Sequence, residues 1–473
     1  MPNPEIDLLA FGCGSITAPA GCGKTQLITD TLKLNHFGKP VLLLTHTNAG
    51  VGALRARLKL AGVNPSIYRV STIDGWVMRL IATFPSRSQH DPEILKLKSK
   101  TDYASIRDAA WGLLASGHVF DALQSTYSRV FVDEYQDCTL PQHQIIAWLA
   151  SALPTCVLGD PLQAIFGFNE PLVNWEKDVF GYFPSAGHLS TPWRWRNVQN
   201  EPLGQWLLQV RASLQTRQSI DLRSAPAQVQ WIAIEAATAH EQRLEAARVK
   251  TASIDHQVLV IGDSQNPRGQ RKIASQTPGA VAVEAADLKD LTAFGRAFNP
   301  ESPDALNVLL MFAQGLMTNL DVALYIRRIG SLSTGKAHNP ATEAEQFGMS
   351  FMAIPNFGSA LLLLDALRDQ PDVRVYRPEI LRHCKKALSL AAEGSITFED
   401  ATVSIREQNR YVGRPMSRRS VGSTLLLKGL EADIAVILNP EEMDANHLYV
   451  ALTRGARQLV VCSSSPILRP KNK

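Results

Sequence analysis

The stretch APAGCGKT, residues 18–25, constrains the fold more than any other part of this 473-residue chain. It follows the apolar residues GSIT and precedes KTQLITDTLKL, whose apolar residues recur at helical spacing. Gly21 and Gly23 allow the backbone to turn tightly, so that its N–H groups face outward at a helix N-terminus. The sequence therefore predicts a strand–loop–helix unit that holds a phosphate chain. The alternative is a structural glycine turn, which the strand-to-helix context disfavours.

The same loop offers side chains to the phosphates and to a metal ion. Lys24 would reach the β- and γ-phosphates of a nucleoside triphosphate, and the Thr25 hydroxyl would hold Mg²⁺. Ala18 stands where the strict pattern has its first glycine, which is a small change. The residues predicted to contact the nucleotide here are Ala18, Ala20, Gly21, Cys22, Gly23, Lys24 and Thr25.

A second feature is the stretch RVFVDEYQD, residues 129–137, in which an apolar strand ends in carboxylates. An unpaired buried carboxylate is costly, so a metal ion or a cationic partner is expected there. Asp133 would bind Mg²⁺ through water, and Glu134 would orient or deprotonate the attacking water. Ligands of open α/β sheets lie at the carboxyl ends of the strands, where the glycine loop also falls. The alternative is a solvated acidic turn.

Apolar strand-like runs alternate with helical stretches in two parts of the chain, which predicts α/β lobes with parallel sheets. The fold class predicted is α/β, with two RecA-like lobes that each carry a mostly helical insertion. The predicted first lobe comprises residues 1–75 and 128–185 with a small helical insertion at 76–127, and the second comprises residues 186–282 and 417–473 with a helical insertion at 283–416.

Composition narrows the class of protein. Apolar residues make up 45% and charged residues 19% of the chain, which is typical of a packed globular protein. The net charge of +4 is compatible with nucleic-acid binding without requiring it. Six scattered cysteines without a CxxC pair predict reduced thiols, and the N-terminus lacks the basic region of a secretion signal. No apolar run approaches 18 residues, so a cytoplasmic protein without a membrane span is expected.

Several stretches together resemble the motifs of the UvrD/Rep-type superfamily 1 DNA helicases, in the family's order along nearly the whole chain. They are APAGCGKT (18–25), LTHTNAGV (44–51), STIDGW (71–76), VDEYQD (132–137), GDPLQAIFGF (159–168), TPWRWRN (191–197), KGLEADIAVIL (428–438) and LYVALTRGAR (448–457). The short insertions resemble a compact form such as the Gabija-type antiphage helicase subunit.

The resemblance implies roles at the matching positions around ATP and Mg²⁺. Gln163 would sense the γ-phosphate and the attacking water, and Arg194 and Arg454 would act as arginine fingers. Trp193 takes the place of a family tyrosine that stacks on adenine. Glu431 would bind the ribose, and Gly429 would allow its close approach. For each residue the alternative is a structural role, such as a solvated arginine or a core tryptophan.

The resemblance also implies contacts with single-stranded or tailed duplex DNA. Phe168 stands where the family has a stacking tryptophan, and base stacking suits a motor because it tolerates any sequence. His46 replaces a family phenylalanine, and Asp74 falls where the family usually has a histidine. The residues predicted to contact DNA are Thr45, His46, Thr47, Asn48, Thr72 and Phe168.

The sequence departs from the family pattern in three places. The first 17 residues contain no glutamine of the kind that reads adenine, so the resemblance does not carry adenine selectivity over. The stretch STLLLKGLE is apolar where the family has a polar run that touches DNA. Both insertions are short, and no nuclease domain is expected after LTRGARQLVV.

Two functions follow from the resemblance. The first is an ATP-dependent 3′→5′ single-stranded DNA translocase and helicase in DNA repair or defence. The second is a DNA-responsive ATPase subunit beside a separate nuclease in an antiphage complex, with little unwinding of its own. A third reading, a P-loop kinase, does not account for Arg194 and Arg454.

Overall fold

Two six-stranded sheets with helices packed against them form the framework, which confirms the predicted α/β class. The computed structural model describes residues 6–34, 38–97, 99, 101–167, 170–409 and 417–471. The strands are β1 (Cys13–Thr17), β2 (Val41–Thr45), β3 (Tyr68–Thr72), β4 (Val130–Val132), β5 (Thr155–Gly159), β6 (Ser185–His188), β7 (Ile220–Asp221), β8 (Val229–Ala233), β9 (Val258–Gly262), β10 (Ala280–Ala282), β11 (Arg419–Ser423), β12 (Ala432–Ile437), β13 (Gly455–Ser463) and β14 (Ile467–Leu468).

The helices lie between these strands. They are α1 (Lys24–Lys33), α2 (Asn48–Leu60), α3 (Ile73–Thr83), α4 (Pro85–Ser88), α5 (Thr101–Ala115), α6 (Phe120–Thr126), α7 (Leu140–Ala152), α8 (Phe180–Tyr182), α9 (Trp193–Arg196), α10 (Glu201–Gln215), α11 (Ala239–Ala247), α12 (Pro267–Gln276), α13 (Lys289–Ala297), α14 (Ala305–Gln314), α15 (Val322–Ser333), α16 (Glu343–Ala353), α17 (Phe357–Arg368), α18 (Pro378–Ala392), α19 (Phe398–Asn409), α20 (Thr424–Leu427) and α21 (Ala445–Leu452).

The first sheet has the strand order β3-β2-β4-β5-β1-β6, and its strands pair in parallel. Its register aligns the strand ends, with Thr45 opposite Thr72 and Thr17 opposite Gly159. Residues that follow the strands, including the glycine loop after β1 and Asp133 after β4, therefore meet at one edge of the sheet.

Alternating residues of each strand point into two separate hydrophobic cores, one on each face of this sheet. Leu42 and Leu44 of β2 pack with α3, α5 and α7, whereas Val41 and Leu43 pack with α1 and α2. This follows from the two-residue period of a strand, in which successive side chains point to opposite faces. Because both faces are covered, the strands are continuously apolar, as the sequence predicts.

The second sheet has the order β10-β11-β9-β12-β13-β8, and β9 pairs in parallel with both β11 and β12. Helices α11 and α12 pack on one face. Helices α13–α19 build a core of their own around stacked aromatic rings, with the Phe294 and Phe312 centroids 3.8 Å apart. This core explains how a helical insertion folds without adding strands to the sheet.

The chain divides into two compact units. Unit 1 comprises residues 1–231, 440–459 and 465–473, and unit 2 comprises residues 232–439 and 460–464. The glycine loop, Asp133, Glu134 and Gln163 lie in unit 1, whereas Gly429 and Glu431 lie in unit 2. The predicted lobe boundaries stay a prediction.

Among the described residues, no helix combines the length and the apolar character that crossing a membrane requires.

Substitution of a glycine tests how closely two helices pack in the helical insertion of unit 2. Gly295 of α13 is buried, and a Cβ there would lie 2.4 Å from Thr402 Oγ1 of α19. We therefore expect Gly295→Ala to lower the free energy of unfolding by about 1–3 kcal/mol through overpacking. Urea unfolding of the full chain, followed by circular dichroism, would show a lower midpoint.

The matched control is Gly330→Ala on α15, where an added Cβ meets nothing within 4 Å. Alanine favours an exposed helix over glycine by up to about 1 kcal/mol, so this variant should unfold at the same or a higher urea concentration. A Gly295→Ala protein as stable as Gly330→Ala would contradict the close approach of α13 and α19.

Candidate functional site

The loop between β1 and α1 turns through two glycines in the left-handed region. Gly21 has φ +71° and Gly23 has φ +87°, conformations that residues with a Cβ rarely adopt. Gly23 is also the N-cap of α1, and no side chain caps this helix. The first N–H groups of α1 therefore lack a capping acceptor at the positive end of the helix dipole, which suits an anion.

Lys24 joins this loop to the carboxylates after β4. Its Nζ lies 3.2 Å from Asp133 Oδ1 and 2.7 Å from Glu134 Oε1. Burial opposes the charge on Lys24, but the two carboxylates outweigh it and hold the pKa of the ammonium above its ordinary value. Burial raises the pKa of Asp133, and Lys24 works against that rise. The cation that the acidic strand end requires is thus supplied by the glycine loop itself.

The side chain of Gln136 holds the Glu134 carboxylate in position through a hydrogen bond. Glu134 has φ +56°, in the left-handed region that is strained for a residue with a side chain. The Gln136 side chain is buried, and its amide nitrogen donates to Glu134 Oε2 at 2.5 Å. Its amide oxygen accepts from the Asp160 backbone N–H at 3.0 Å. The sequence analysis missed Gln136, although a polar residue in a buried turn was a usable signal.

Asp160, directly after β5, holds two neighbouring side chains in place. It is fully buried and accepts hydrogen bonds from Arg211 Nη2 at 2.9 Å and from the Gln163 amide at 3.2 Å. The buried carboxylate outweighs the burial of Arg211 and raises the pKa of that guanidinium. Gln163 is therefore held at the carboxyl end of β5 by a buried ion pair. Arg211 lies on α10, 51 residues further along, and no motif pointed to it.

Two tryptophans of α9 pack against the glycine loop. A Cβ at Gly21 would lie 2.6 Å from Trp195 Cζ3, and one at Gly23 would lie 2.9 Å from Trp193 Cδ1. Trp195 is buried and donates from Nε1 to the Gly455 carbonyl at 3.0 Å, whereas Trp193 is partly exposed. The glycines are thus required for packing as well as for the turn. The structure brings Trp193 to the loop, and its predicted role in stacking on adenine stays a prediction.

The two predicted arginine fingers lie in the same unit as the loop. The Arg194 backbone N–H donates to the Gly21 carbonyl at 3.0 Å, and its guanidinium donates to the Thr453 carbonyl at 2.5 Å. Arg454 is buried, and its Nε donates to the Val450 carbonyl at 2.9 Å. Both guanidinium groups therefore already have backbone acceptors on the segment that ends α21, and their action on a phosphate stays a prediction.

Helix α21 holds the glycine loop and the β5 end through two residues that the sequence analysis did not assign. The hydroxyl of Tyr449 accepts from the Ala20 backbone N–H at 3.1 Å. Asn446 donates to the Ala164 carbonyl at 2.9 Å, just beyond Gln163. Tyr449 is almost completely buried, and this burial raises the pKa of its hydroxyl well above the ordinary value.

The donor set fits a nucleoside triphosphate with Mg²⁺. The uncapped N-terminus of α1 and the ammonium of Lys24 suit phosphate oxygens, and Thr25 is the second residue of the same helix. Among the described residues, no group of three or more His, Cys, Asp or Glu side chains could hold a metal ion alone. Mg²⁺ commonly keeps waters and phosphate ligands beside one or two protein oxygens, so Thr25 and Asp133 are a sufficient protein contribution.

Five residues predicted to contact DNA lie at the carboxyl ends of β2 and β3 or directly after β2: Thr45, His46, Thr47, Asn48 and Thr72. Thr47 and Thr72 cap α2 and α3, since each hydroxyl accepts from a backbone N–H at 3.0 Å. The His46 ring lies 6.1 Å from the Phe166 ring. Phe168 lies outside the described residues. The structure thus places the first five on one edge of neighbouring strands, and their contacts with DNA stay predictions.

Asp74, where the family usually has a histidine, has a structural partner in this chain. Arg107 of α5 binds both of its carboxylate oxygens, at 2.8 and 3.0 Å, and binds Glu170 as well. Gln142 of α7 donates to Asp74 at 3.2 Å. Where the family usually has a histidine, this chain therefore has an aspartate whose charge is compensated by Arg107.

Two predicted nucleotide-binding residues lie in unit 2. Gly429 has φ +83°, and Glu431 is exposed immediately before β12. Their binding of a ribose stays a prediction.

The comparisons with known proteins agree with the motifs. Residues 92–174 match the family model of the UvrD/REP helicase N-terminal domain, a segment that includes Asp133, Glu134 and Gln163. Over this segment the match confirms the predicted resemblance to the UvrD/Rep-type superfamily 1 helicases.

Among solved structures, the Pif1 helicase from Candida albicans is similar to this chain, with 12% identity and a TM-score of 0.30. The similarity covers 56% of this chain and 51% of that chain, so it spans about half of the Pif1 chain. The fold assignment depends on the strand order and not on this similarity. No curated protein sequence matches the chain.

The Tyr449–Ala20 hydrogen bond gives a test of the loop. We expect Tyr449→Phe to weaken binding of a fluorescent ATP analogue severalfold, because the Ala20 N–H loses its buried acceptor at a cost of about 1–3 kcal/mol. Fluorescence anisotropy of the full chain would measure the affinity.

Tyr376→Phe is the matched control. It removes a hydroxyl that donates to the Gly315 carbonyl at 2.7 Å in unit 2. This variant should lose stability but keep its affinity for the analogue. Equal affinities of the two variants would contradict a role for Tyr449 in ordering the loop.

Proposed function

We propose that the chain is an ATP-driven motor that translocates along single-stranded DNA in the 3′→5′ direction and separates duplex DNA. The observation that carries the proposal is the contact of Lys24 with Asp133 and Glu134 at the edge where the first sheet's strands end. The motif order and the relationship to UvrD/REP helicases support DNA as the substrate. The direction comes from the resemblance alone.

When bound, ATP with Mg²⁺ supplies the phosphoanhydride whose hydrolysis drives the motor. Lys24 would compensate phosphate charge, and the Thr25 hydroxyl and the Asp133 carboxylate would hold the metal. Glu134 would accept a proton from water, and Gln136 keeps its carboxylate aligned for that task.

The arginines would act on the charge that develops during hydrolysis. A guanidinium offers a fixed fork of donors, which suits a phosphoryl group better than an ammonium does. Arg194 is joined to the glycine loop through its own backbone, at Gly21. A movement of the loop would therefore also move the segment around Arg194 and Thr453. We propose that this connection couples the binding and hydrolysis of ATP to the movement of the motor.

Loss of the proposed base should stop turnover without unfolding the protein. We expect Glu134→Gln to lower DNA-stimulated ATP hydrolysis by at least about 100-fold, because the amide cannot accept the proton. Its similar shape preserves the volume of the side chain. A coupled phosphate-release assay with single-stranded DNA measures the rate.

Lys24→Ala should abolish hydrolysis as well, but it also leaves two carboxylates without their cation and destabilises the site. Lys33→Ala is its control, since Lys33 is exposed at the other end of α1. Wild-type turnover in Glu134→Gln would refute the assignment of the base, and loss of activity in Lys33→Ala would show that helix α1 itself had been disturbed.

Strand separation distinguishes the motor from the alternative of an ATPase subunit that serves a separate nuclease. The purified chain alone, given ATP and a duplex with a 3′ single-stranded tail, should release a labelled strand. A duplex with a 5′ tail is the control and should stay intact. Hydrolysis without strand release on either substrate would contradict the motor and favour the ATPase subunit. The place of the motor in DNA repair or antiphage defence stays a prediction.

A further inference from the structure

A basic groove lies in unit 2 at the amino ends of β9, β10 and β11, the edge opposite Gly262. Its volume is about 440 Å³. We name it the basic groove and define it by Arg248, Lys250, Thr251, Thr277, Arg418 and Arg419. Neither a carboxylate nor an aromatic side chain is among the described residues that line it.

The groove's arginines are held by neutral acceptors. Arg248 donates to the Gln276 carbonyl at 2.8 Å, and Arg418 donates to the Thr251 hydroxyl at 3.1 Å. Arg419 donates to the carbonyls of Ala247 and Val249. These bonds orient the guanidinium groups and leave their charge uncompensated, since carbonyl and hydroxyl groups carry no net charge.

Ion pairs do not compensate the cations of the groove within the described parts of the chain. There, Arg248, Lys250, Arg418 and Arg419 form no ion pair with Asp or Glu, in contrast to cations such as Lys24, Arg211 and Arg377. Burial, and then the neighbouring charge of Arg418, lowers the pKa of Arg419. Four positive charges around one cavity repel one another, and an anion in the cavity would relieve this repulsion.

Thr277 provides a second, independent observation. Its side chain is fully buried at the groove, and its Oγ1 has no hydrogen-bond partner among the described residues. A buried hydroxyl without a partner costs about 1–3 kcal/mol, and such groups are rare in folded proteins. Because Thr277 is among the residues that line the groove, a ligand oxygen that reached this hydroxyl would satisfy it. Cations and an unsatisfied donor thus point to the same kind of ligand.

We infer that the basic groove is a phosphate-binding site, and that its phosphates come from the backbone of the DNA on which the proposed motor acts. Arginine forks match phosphate oxygens, and the described residues that line the groove include no aromatic ring on which a base could stack. The volume exceeds that of one phosphate group, so a stretch of backbone fits better than a single anion. This source of phosphate rests on the proposed function. The site differs from the predicted DNA contacts that follow β2 and β3.

The first arm of the test measures DNA binding without nucleotide, so that it does not depend on hydrolysis. The variant Lys250→Gln/Arg418→Gln removes two exposed cations from the groove. Fluorescence anisotropy with a labelled single-stranded oligonucleotide should show about tenfold weaker binding at 100 mM salt. The slope of log K against log salt should fall in magnitude by about 1.4, since each lost phosphate contact removes about 0.7.

The control is Arg268→Gln/Lys272→Gln. Both residues are exposed on α12 of the same unit, and neither lines the groove. Each double variant loses two positive charges, so a general charge effect would weaken DNA binding equally in both. We expect its affinity to stay within twofold of the wild type.

The second arm tests whether a free polyphosphate is the source of the phosphates. The full chain is titrated with tripolyphosphate in a calorimeter. The glycine loop should provide one site, and Lys24→Ala should remove it. A further site that Lys250→Gln/Arg418→Gln removes would belong to the groove. Thr277→Val should weaken binding in whichever arm reports the groove while leaving the melting temperature unchanged or higher, because valine keeps the shape and removes the unpaired hydroxyl.

The outcomes separate the sources. A groove-specific loss in the DNA arm assigns the site to backbone phosphate, and a loss only in the tripolyphosphate arm supports the phosphate site while assigning it to a free polyphosphate. No loss in either arm, or an equal loss in the α12 control, overturns the inference. Failure of strand separation with a positive DNA arm would refute the motor and leave the groove standing.

Discussion

The contact of Lys24 with Asp133 and Glu134 is the interaction on which the first sheet's functional edge depends. Strand β4 is fully buried, yet two carboxylates follow it immediately. Removing one partner of a buried ion pair typically costs about 3–5 kcal/mol, so the cation cannot be dispensed with. Lys24 can supply it because the glycine turn ends at Gly23 and α1 begins with the lysine itself. The same geometry that allows the strand to be buried therefore creates a charged site at its end.

From this contact a series of hydrogen bonds runs across the neighbouring strand ends. Glu134 is joined through Gln136 to the Asp160 backbone, and the Asp160 carboxylate binds Arg211 and Gln163. Each buried polar group along this route has a partner, which makes the arrangement rigid. A change of charge at Lys24 would consequently affect the surroundings of Gln163, although the two residues follow different strands.

The parallel sheets, and the need for a cation beside the acidic strand end, could be predicted from the sequence because their information is local, whereas the direct contact of Lys24 with Asp133 and Glu134 is seen only in the structure. A glycine loop followed by a lysine, and an apolar strand followed by acids, each occupy a few adjacent residues. Arg211 and Tyr449 could not be found in this way, since their partners lie 51 and 429 residues away. Asp74 shows the same limit, because only the folded chain reveals that Arg107 compensates it. The basic groove likewise brings together residues from three separate segments.

A crystal structure of the full chain with Mg²⁺ and a non-hydrolysable ATP analogue would test the account most directly. The account predicts the triphosphate against the backbone N–H groups of residues 21–25. It also predicts that Lys24 Nζ moves from the two carboxylates towards the phosphates, while Asp133 turns to the metal ion. An analogue bound elsewhere, or Lys24 still in contact with both carboxylates beside a bound analogue, would contradict it.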